Sequence, residues 1–138
     1  MIYSIDVRIE APVRDTEVTA RVRDAVENLF PNADVVHEDG RLVGESHSLD
    51  HFSELLHEQE ILDTARREFE RREGGDGFSF ALKKQAAFKG VVNFAVGNPD
   101  ELGDIEVHVT VHEPDVETFV DDVAPPTKEG KPVPPDER

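Results

Sequence analysis

The chain has 138 residues, 31 acidic against 15 basic, a formal net charge of -16 and no cysteine. That length suits one domain able to bury a core without a disulfide or metal, and the missing cysteines exclude a thiol nucleophile, a disulfide framework and a cysteine-ligated zinc site. The opening MIYSIDVRIE has neither a basic leader nor a long apolar run, so no signal peptide or membrane span is expected and a cytoplasmic protein is.

Tyr3, Ile5, Val7 and Ile9 alternate with Ser4, Asp6 and Arg8, which predicts a strand with one wet face. Pro12 breaks it. Asp15 or Thr16 is placed to cap a helix whose apolar stripe is Val18, Val22, Ala25, Val26, Leu29 and Phe30, and Pro31 stops that helix. Two extended pieces, Val35 to His37 and Arg41 to Glu45, flank an Asp39-Gly40 pair that suits a tight hairpin.

Ser48 or Asp50 opens the longest helical stretch, ending near Arg72, with Leu49, Phe52, Leu55, Leu56, Leu62, Ala65 and Phe69 as its buried set. Its stripe drifts, as it would in a helix wrapped on a twisted sheet or one bent near Gln59. Gly74, Gly75, Asp76 and Gly77 then stop the helix and turn the chain. Phe78, Phe80 and Leu82 alternate as a strand, and the following lysine-rich segment has room for one or two helical turns. Val92, Phe94 and Val96, then Ile105, Val107, Val109 and Val111, predict adjacent antiparallel strands joined through Gly97, Asn98 and Pro99.

A short closing helix is expected between Pro114 and Val123. Residues 1–123 therefore read as a single α+β domain, a two-layer sandwich with helices on one face of a mostly antiparallel sheet. Residues 124–138, rich in proline and poor in apolar side chains, read as a disordered tail. Elsewhere the strong apolar periodicity argues against disorder. The acid excess then reads as adaptation to high salt, where self-repulsion is screened within about 3 Å at about 1 M.

Every lysine before the tail, Lys83, Lys84 and Lys89, falls within LKKQAAFKGVVNF, from Leu82 to Phe94. On so acidic a chain this is a cationic island. Ammonium groups neutralise phosphates and the face of Phe88 stacks on any base, which points to RNA or another polyanion. The competing reading puts Phe88 in the core and leaves the lysines solvating a turn. Ala86, Ala87 and Gly90 permit close backbone packing, and Gln85 offers both donor and acceptor, for a structural corner or for a base edge.

Arg66, Arg67, Arg71 and Arg72 form a second basic set near the end of the long helix, where cations gain from the helix dipole. Arg66 projects among Leu55, Leu62 and Phe69, so its guanidinium must snorkel, pair or reach a ligand, and a structural pair with Asp63 or another acid is the favoured outcome. The histidines do not make a metal site: His108 and His112 stand roughly 13 Å apart along a strand, and His51 and His57 point in different directions from a helix. There is no HExxH, no nucleophile elbow and no phosphate-loop ending to the glycine cluster. No metal, cofactor, small-molecule substrate or enzymatic activity is expected.

Three blocks in order, EQEILDTARREF from Glu58 to Phe69, FALKKQAAFKGVVNF from Phe80 to Phe94 and DELGDIEVHV from Asp100 to Val109, resemble the archaeal uncharacterised protein family 0201. That family is described as RNA-binding or exosome-related, and the resemblance covers roughly residues 1–113. It implies a fold similar to the large-subunit ribosomal protein five, an RNA partner and self-association as a homodimer, with no catalytic residues to carry over. Recurring family positions match at Asp63, Thr64, Ala65, Arg66, Lys84, Gln85, Ala86, Gly90 and Phe94. Lys83 stands where the family often has Asn, and Glu58 and Glu60 where it has basic residues, which removes part of a continuous basic surface along the helix.

The leading expectation is a non-enzymatic RNA-binding domain working with ribosomal RNA or in RNA processing. Lys83, Lys84 and Lys89 would contact phosphate, Gln85 would make a polar contact, and Arg66 and Arg67 would support them. The alternative is a dimerising protein-interaction module that binds no nucleic acid and uses the KKQAAFKG segment as its subunit contact.

Overall fold

Alternation along the first strand sets the orientation of the whole architecture. In the computed structural model, which describes residues 2–99 and 101–138, β1 (Ser4–Pro12) turns Ile5, Val7, Ile9 and Ala11 into the core and leaves Ser4, Asp6 and Arg8 in water. Then follow α1 (Thr19–Leu29), β2 (Asp34–Glu38), β3 (Arg41–Ser46), α2 (Asp50–Glu58), α3 (Leu62–Arg71), β4 (Glu73–Gly74) and β5 (Gly77–Leu82). The chain continues through α4 (Lys84–Ala87), β6 (Ile105–Glu113), α5 (Val116–Val123), β7 (Thr127–Lys128) and β8 (Lys131–Pro132), ending in a 3-10 turn at Pro135–Glu137.

The main sheet runs β2-β3-β1-β6-β5-β4, and its neighbours are all antiparallel. Register lines up apolar rows across its buried face: Val7, Val109 and Phe78 in one, Ile9, Val107 and Phe80 in the next. Phe52 of α2 stacks on Phe80 with 5.3 Å between centroids, and Phe69 of α3 lies 4.7 Å from Phe78. Such pairs add about 0.5–1.5 kcal/mol beyond the area they bury. The result is the expected α+β sandwich, an antiparallel sheet with its helices and sheet residues sharing one core. Asp39 and Gly40 close the β2–β3 hairpin with φ of 48° and 75°, the turn pattern whose twist matches antiparallel strands.

The long helical stretch is two helices. Glu60 takes φ 55° and the Ile61 N–H returns to the Leu56 carbonyl at 3.1 Å. This break lets Phe52 and Leu56, then Leu62, Ala65 and Phe69, all face the core, which is why the apolar stripe drifts. No side chain caps α1, neither Asp15 nor Thr16, and Val18 is exposed rather than buried. Glu17 is the reason: its carboxylate accepts the Arg14 N–H at 2.9 Å and turns inward, so the helix starts after it.

Val92 to Val96 do not form a strand beside β6, which lies between β1 and β5. The segment instead follows the end of β5, through Lys83 N–H to Asn93 O at 2.9 Å, Ala95 N–H to Ala81 O at 2.8 Å and a lone bridge from Leu82 to Phe94. Val96 is left exposed. In place of a disordered tail, β7 and β8 pair as a hairpin. The Thr127 hydroxyl donates to Asp63 Oδ1 at 2.6 Å, and the Ser53 hydroxyl to Val123 O at 2.6 Å. Prolines supply no donor of their own, and side chains of α2 and α3 provide the anchors that tail composition does not reveal.

Candidate nucleic-acid interface

The cationic block starts where β5 ends. Leu82 is fully buried, and the small side chains of Ala86 and Ala87 let the single turn of α4 lie close against α1. Polar side chains from other elements then fix it. Asn28 of α1 donates to the carbonyls of Ala87 at 3.0 Å and Phe88 at 3.4 Å. Gln59, at the α2–α3 break, donates to Gly90 O at 3.3 Å and accepts the Val92 N–H at 3.0 Å.

Lys84 departs from its expected place on the surface. Its side chain is 2% exposed and that of its partner Glu17 is 7% exposed. The ammonium donates to Glu17 Oε1 at 3.0 Å, to Leu102 O at 2.6 Å and to Pro12 O. An ammonium has three donors, and all are taken. A buried charge needs such compensation, so Lys84 ties together the end of β1, the loop before α1 and the approach to β6 instead of meeting phosphate.

Its neighbours are less enclosed. Lys83 is half-buried, while Gln85 and Lys89 are exposed, and none of the three side chains has a hydrogen-bond or ion-pair partner among the described residues. Phe88 is 36% exposed, so the ring is shared between core and surface. Between the start of α4 and residues 101–103 lies a cavity of about 440 Å³, lined by Lys83, Lys84, Gln85, Glu101, Leu102 and Gly103.

The arginines of α3 are mostly committed. Arg66 Nη1 donates to Asp121 Oδ1 at 2.9 Å and to Ala124 O at 2.8 Å. The expected structural pair therefore forms with Asp121, while Asp63 accepts from Thr127. Arg71 lies 3.2 Å from Glu68 and Arg72 lies 3.0 Å from Glu106. Arg67 is exposed, and among the described residues no hydrogen bond or ion pair joins Arg66 or Arg67 to α4.

The sheet face opposite the core is covered by charged pairs. Glu10 holds Arg8 at 3.1 Å and Arg41 at 3.5 Å. Asp6 takes His112 Nε2 at 2.7 Å and His47 Nδ1 at 3.1 Å, and the His112 hydrogen bond holds the Asp6 carboxyl below the usual carboxylate range. Among the described residues, no group of three or more His, Cys, Asp or Glu side chains is placed to hold a metal ion.

A family model described as RNA binding matches residues 6–113. A UPF0201 protein of Methanopyrus kandleri is 40% identical over 88% of this chain and 85% of its own length. The chain belongs to the UPF0201 family. The crystal structure of a UPF0201 protein from Methanococcus jannaschii matches with a TM-score of 0.87 at 36% identity, covering 94% of this chain and 99% of that one. A UPF0200/UPF0201 protein of Archaeoglobus fulgidus is 36% identical over 94% of this chain, which spans only 40% of that relative.

The family-model match takes in most of β1, then β2 to β6 and α1 to α4, and stops short of α5 and the tail hairpin. Glu17, Asn28 and Gln59 lie inside it, whereas Asp121, the partner of Arg66, lies beyond. These four are the residues that sequence reasoning passes over. Their bonds to the block and to Arg66 join positions 67, 59, 31 and 55 apart, and a polar residue gives no periodic signal of a distant partner. The one local hint is the run of small residues after Lys84, which marks a packed setting.

Proposed function

We propose that this UPF0201 chain is a cytoplasmic RNA-binding domain that acts by binding rather than by catalysis, in a ribosomal-RNA or RNA-processing setting. Lys83, Gln85 and Lys89 are its contact residues, with exposed Arg67 as a supporting cation, while Lys84 and Arg66 support the fold around them. The observation that carries this reading is the unpartnered state of those three side chains among the described residues, with Gln85 and Lys89 exposed and Lys83 half-buried. They stand on a molecule of charge -16 whose Arg8, Arg41, Arg66, Arg71 and Arg72 are all paired. The RNA-binding description of the matching family model supports it.

The test is binding to total cellular RNA in low and in molar salt, for the wild type and a Lys83→Glu/Lys89→Glu variant. Loss of two phosphate contacts lowers the dependence of log affinity on log salt by about 1.4, at roughly 0.7 per contact on a single strand. Equal binding by the two proteins would falsify the reading. Exposed Phe88 and Val91 favour a second one, a subunit contact in a homodimer that binds no nucleic acid. Light scattering on Phe88→Ala separates them: a lower mass with no RNA affinity to lose selects the dimer.

A further inference from the structure

The α4 block carries two adjacent features that a paired nucleic acid has no way to use. The first is the cavity of about 440 Å³ beside its start, inside the range of roughly 300–1,000 Å³ typical of small-ligand pockets. Gln85 lines it, with an amide that is free among the described residues to donate and to accept. The Lys84 ammonium in the same wall is already neutralised by Glu17 and two carbonyls, so it presents no bare buried charge. Glu101 on the opposite wall turns phosphate away from the interior. Lys83 lines the cavity as well and offsets Glu101, so a neutral group with a polar edge is what it suits.

The second feature is the ring of Phe88, 36% exposed and followed by Lys89 and by Val91, which is 42% exposed. Gln85 and Phe88 are three residues apart across one helical turn, so their side chains share a side of it. Lys83 and Lys89 bracket the pair. A flat apolar face and a polar edge-reader are thus set side by side between two cations.

Resting on the RNA-binding reading, we infer that this site takes single-stranded RNA. One unpaired base enters the cavity, where Gln85 hydrogen-bonds its edge. Its neighbour stacks on Phe88, and Lys83 and Lys89 hold the flanking phosphates at the rim. In a duplex the base edges are paired and the faces are stacked, leaving nothing for Gln85 or Phe88 to meet. Stacking and hydrogen bonding also persist in molar salt, where counterion release contributes little.

The test is fluorescence anisotropy of the full chain with a labelled mixed-sequence single-stranded RNA and with the same RNA annealed to its complement, in low and molar salt. The single strand should bind about tenfold or more tightly than the duplex. Phe88→Ala should weaken single-strand binding about 5- to 100-fold, and Gln85→Ala about 2- to 10-fold, with unchanged circular dichroism and duplex affinity. Equal affinity for the two forms, or a single-strand affinity that neither variant moves, overturns the inference. RNA binding itself then still stands if Lys83→Glu/Lys89→Glu loses affinity. Binding of neither RNA at either salt overturns both, and a Phe88→Ala variant altered only in oligomeric mass assigns the surface to a protein partner and overturns the inference.

Discussion

The α4 block and α3 hold the two basic clusters of this chain, and they are arranged in opposite ways. In the block, one lysine turns inward and its neighbours stay free: Lys84 is sealed against Glu17, while Lys83 and Lys89 have no partner among the described residues. On α3 and at its C-cap the proportions reverse, with Arg66, Arg71 and Arg72 each paired and Arg67 alone facing outward unpaired among the described residues. Local composition accounts for part of the difference, since residues 62–73 also carry Asp63, Glu68, Glu70 and Glu73 while residues 82–94 carry no acid. Glu68 pairs Arg71 within the helix, and the rest is decided by which carboxylates the topology delivers from far away, Glu17 to Lys84 and Asp121 to Arg66.

Removing the inward lysine attacks that comparison hardest. Lys84→Met leaves Glu17 buried without its counter-charge, with Oε2 already lacking a hydrogen-bond partner. Breaking such a pair by removing one partner costs about 3–5 kcal/mol, measurable by denaturant titration. Adding Glu17→Gln should recover most of the loss, because the uncompensated charge goes with it, and a double-mutant cycle isolates the coupling. A loss in Lys84→Met below about 1 kcal/mol would put the ammonium in solvent, where surface pairs contribute that little, and would erase the distinction from Lys83.

A middle-sized effect is expected on α3. The Arg66 and Asp121 side chains are 22% and 31% exposed, so water screens the pair in part. Arg66→Ala should destabilise by about 1–2 kcal/mol, and Arg67→Ala by no more than about 0.5 kcal/mol. Limited proteolysis gives a second readout. Arg66 also holds Ala124 O, so its loss should speed cleavage within residues 124–138 while Arg67→Ala leaves the rate alone. Equal behaviour of the two variants would mean that pairing does not distinguish them.

Much of the fold is legible in the sequence, because its strands are half-buried and a period of two marks one face. Ile5 to Ile9 and Ile105 to Val111 show this directly, and Asp39-Gly40 supplies the conformations its hairpin needs. The α2–α3 break appears only as drift, since periodicity records which residues are buried and not where the backbone reverses at Glu60. Val92 and Phe94 mislead for a related reason: both are buried, yet burial alone does not name a strand partner. At the site, composition singles out the right block but not the lysine that turns inward. That choice rests on Glu17, Asn28 and Gln59, which only the folded topology brings to it.

The smallest effect belongs to an ion pair on the open sheet face, and it supplies the lower end of the comparison. Asp6 and His112 are 58% and 50% exposed, and their hydrogen bond is the main cause that lowers the Asp6 pKa. A carboxyl with a folded pKa below its unfolded value stabilises the fold above the ordinary range of about 4. That contribution is lost as pH falls through the lowered folded value. The wild type should therefore melt slightly above Asp6→Asn at neutral pH, and the gap should close as the solution is taken well below pH ~4. Molar salt should close it at any pH, since exposed charges are screened, whereas the buried Lys84 pair should keep its effect. Should Asp6→Asn lower Tm as much as Lys84→Met, or should the gap persist in strong acid, burial would not be what separates the ion pairs of this protein.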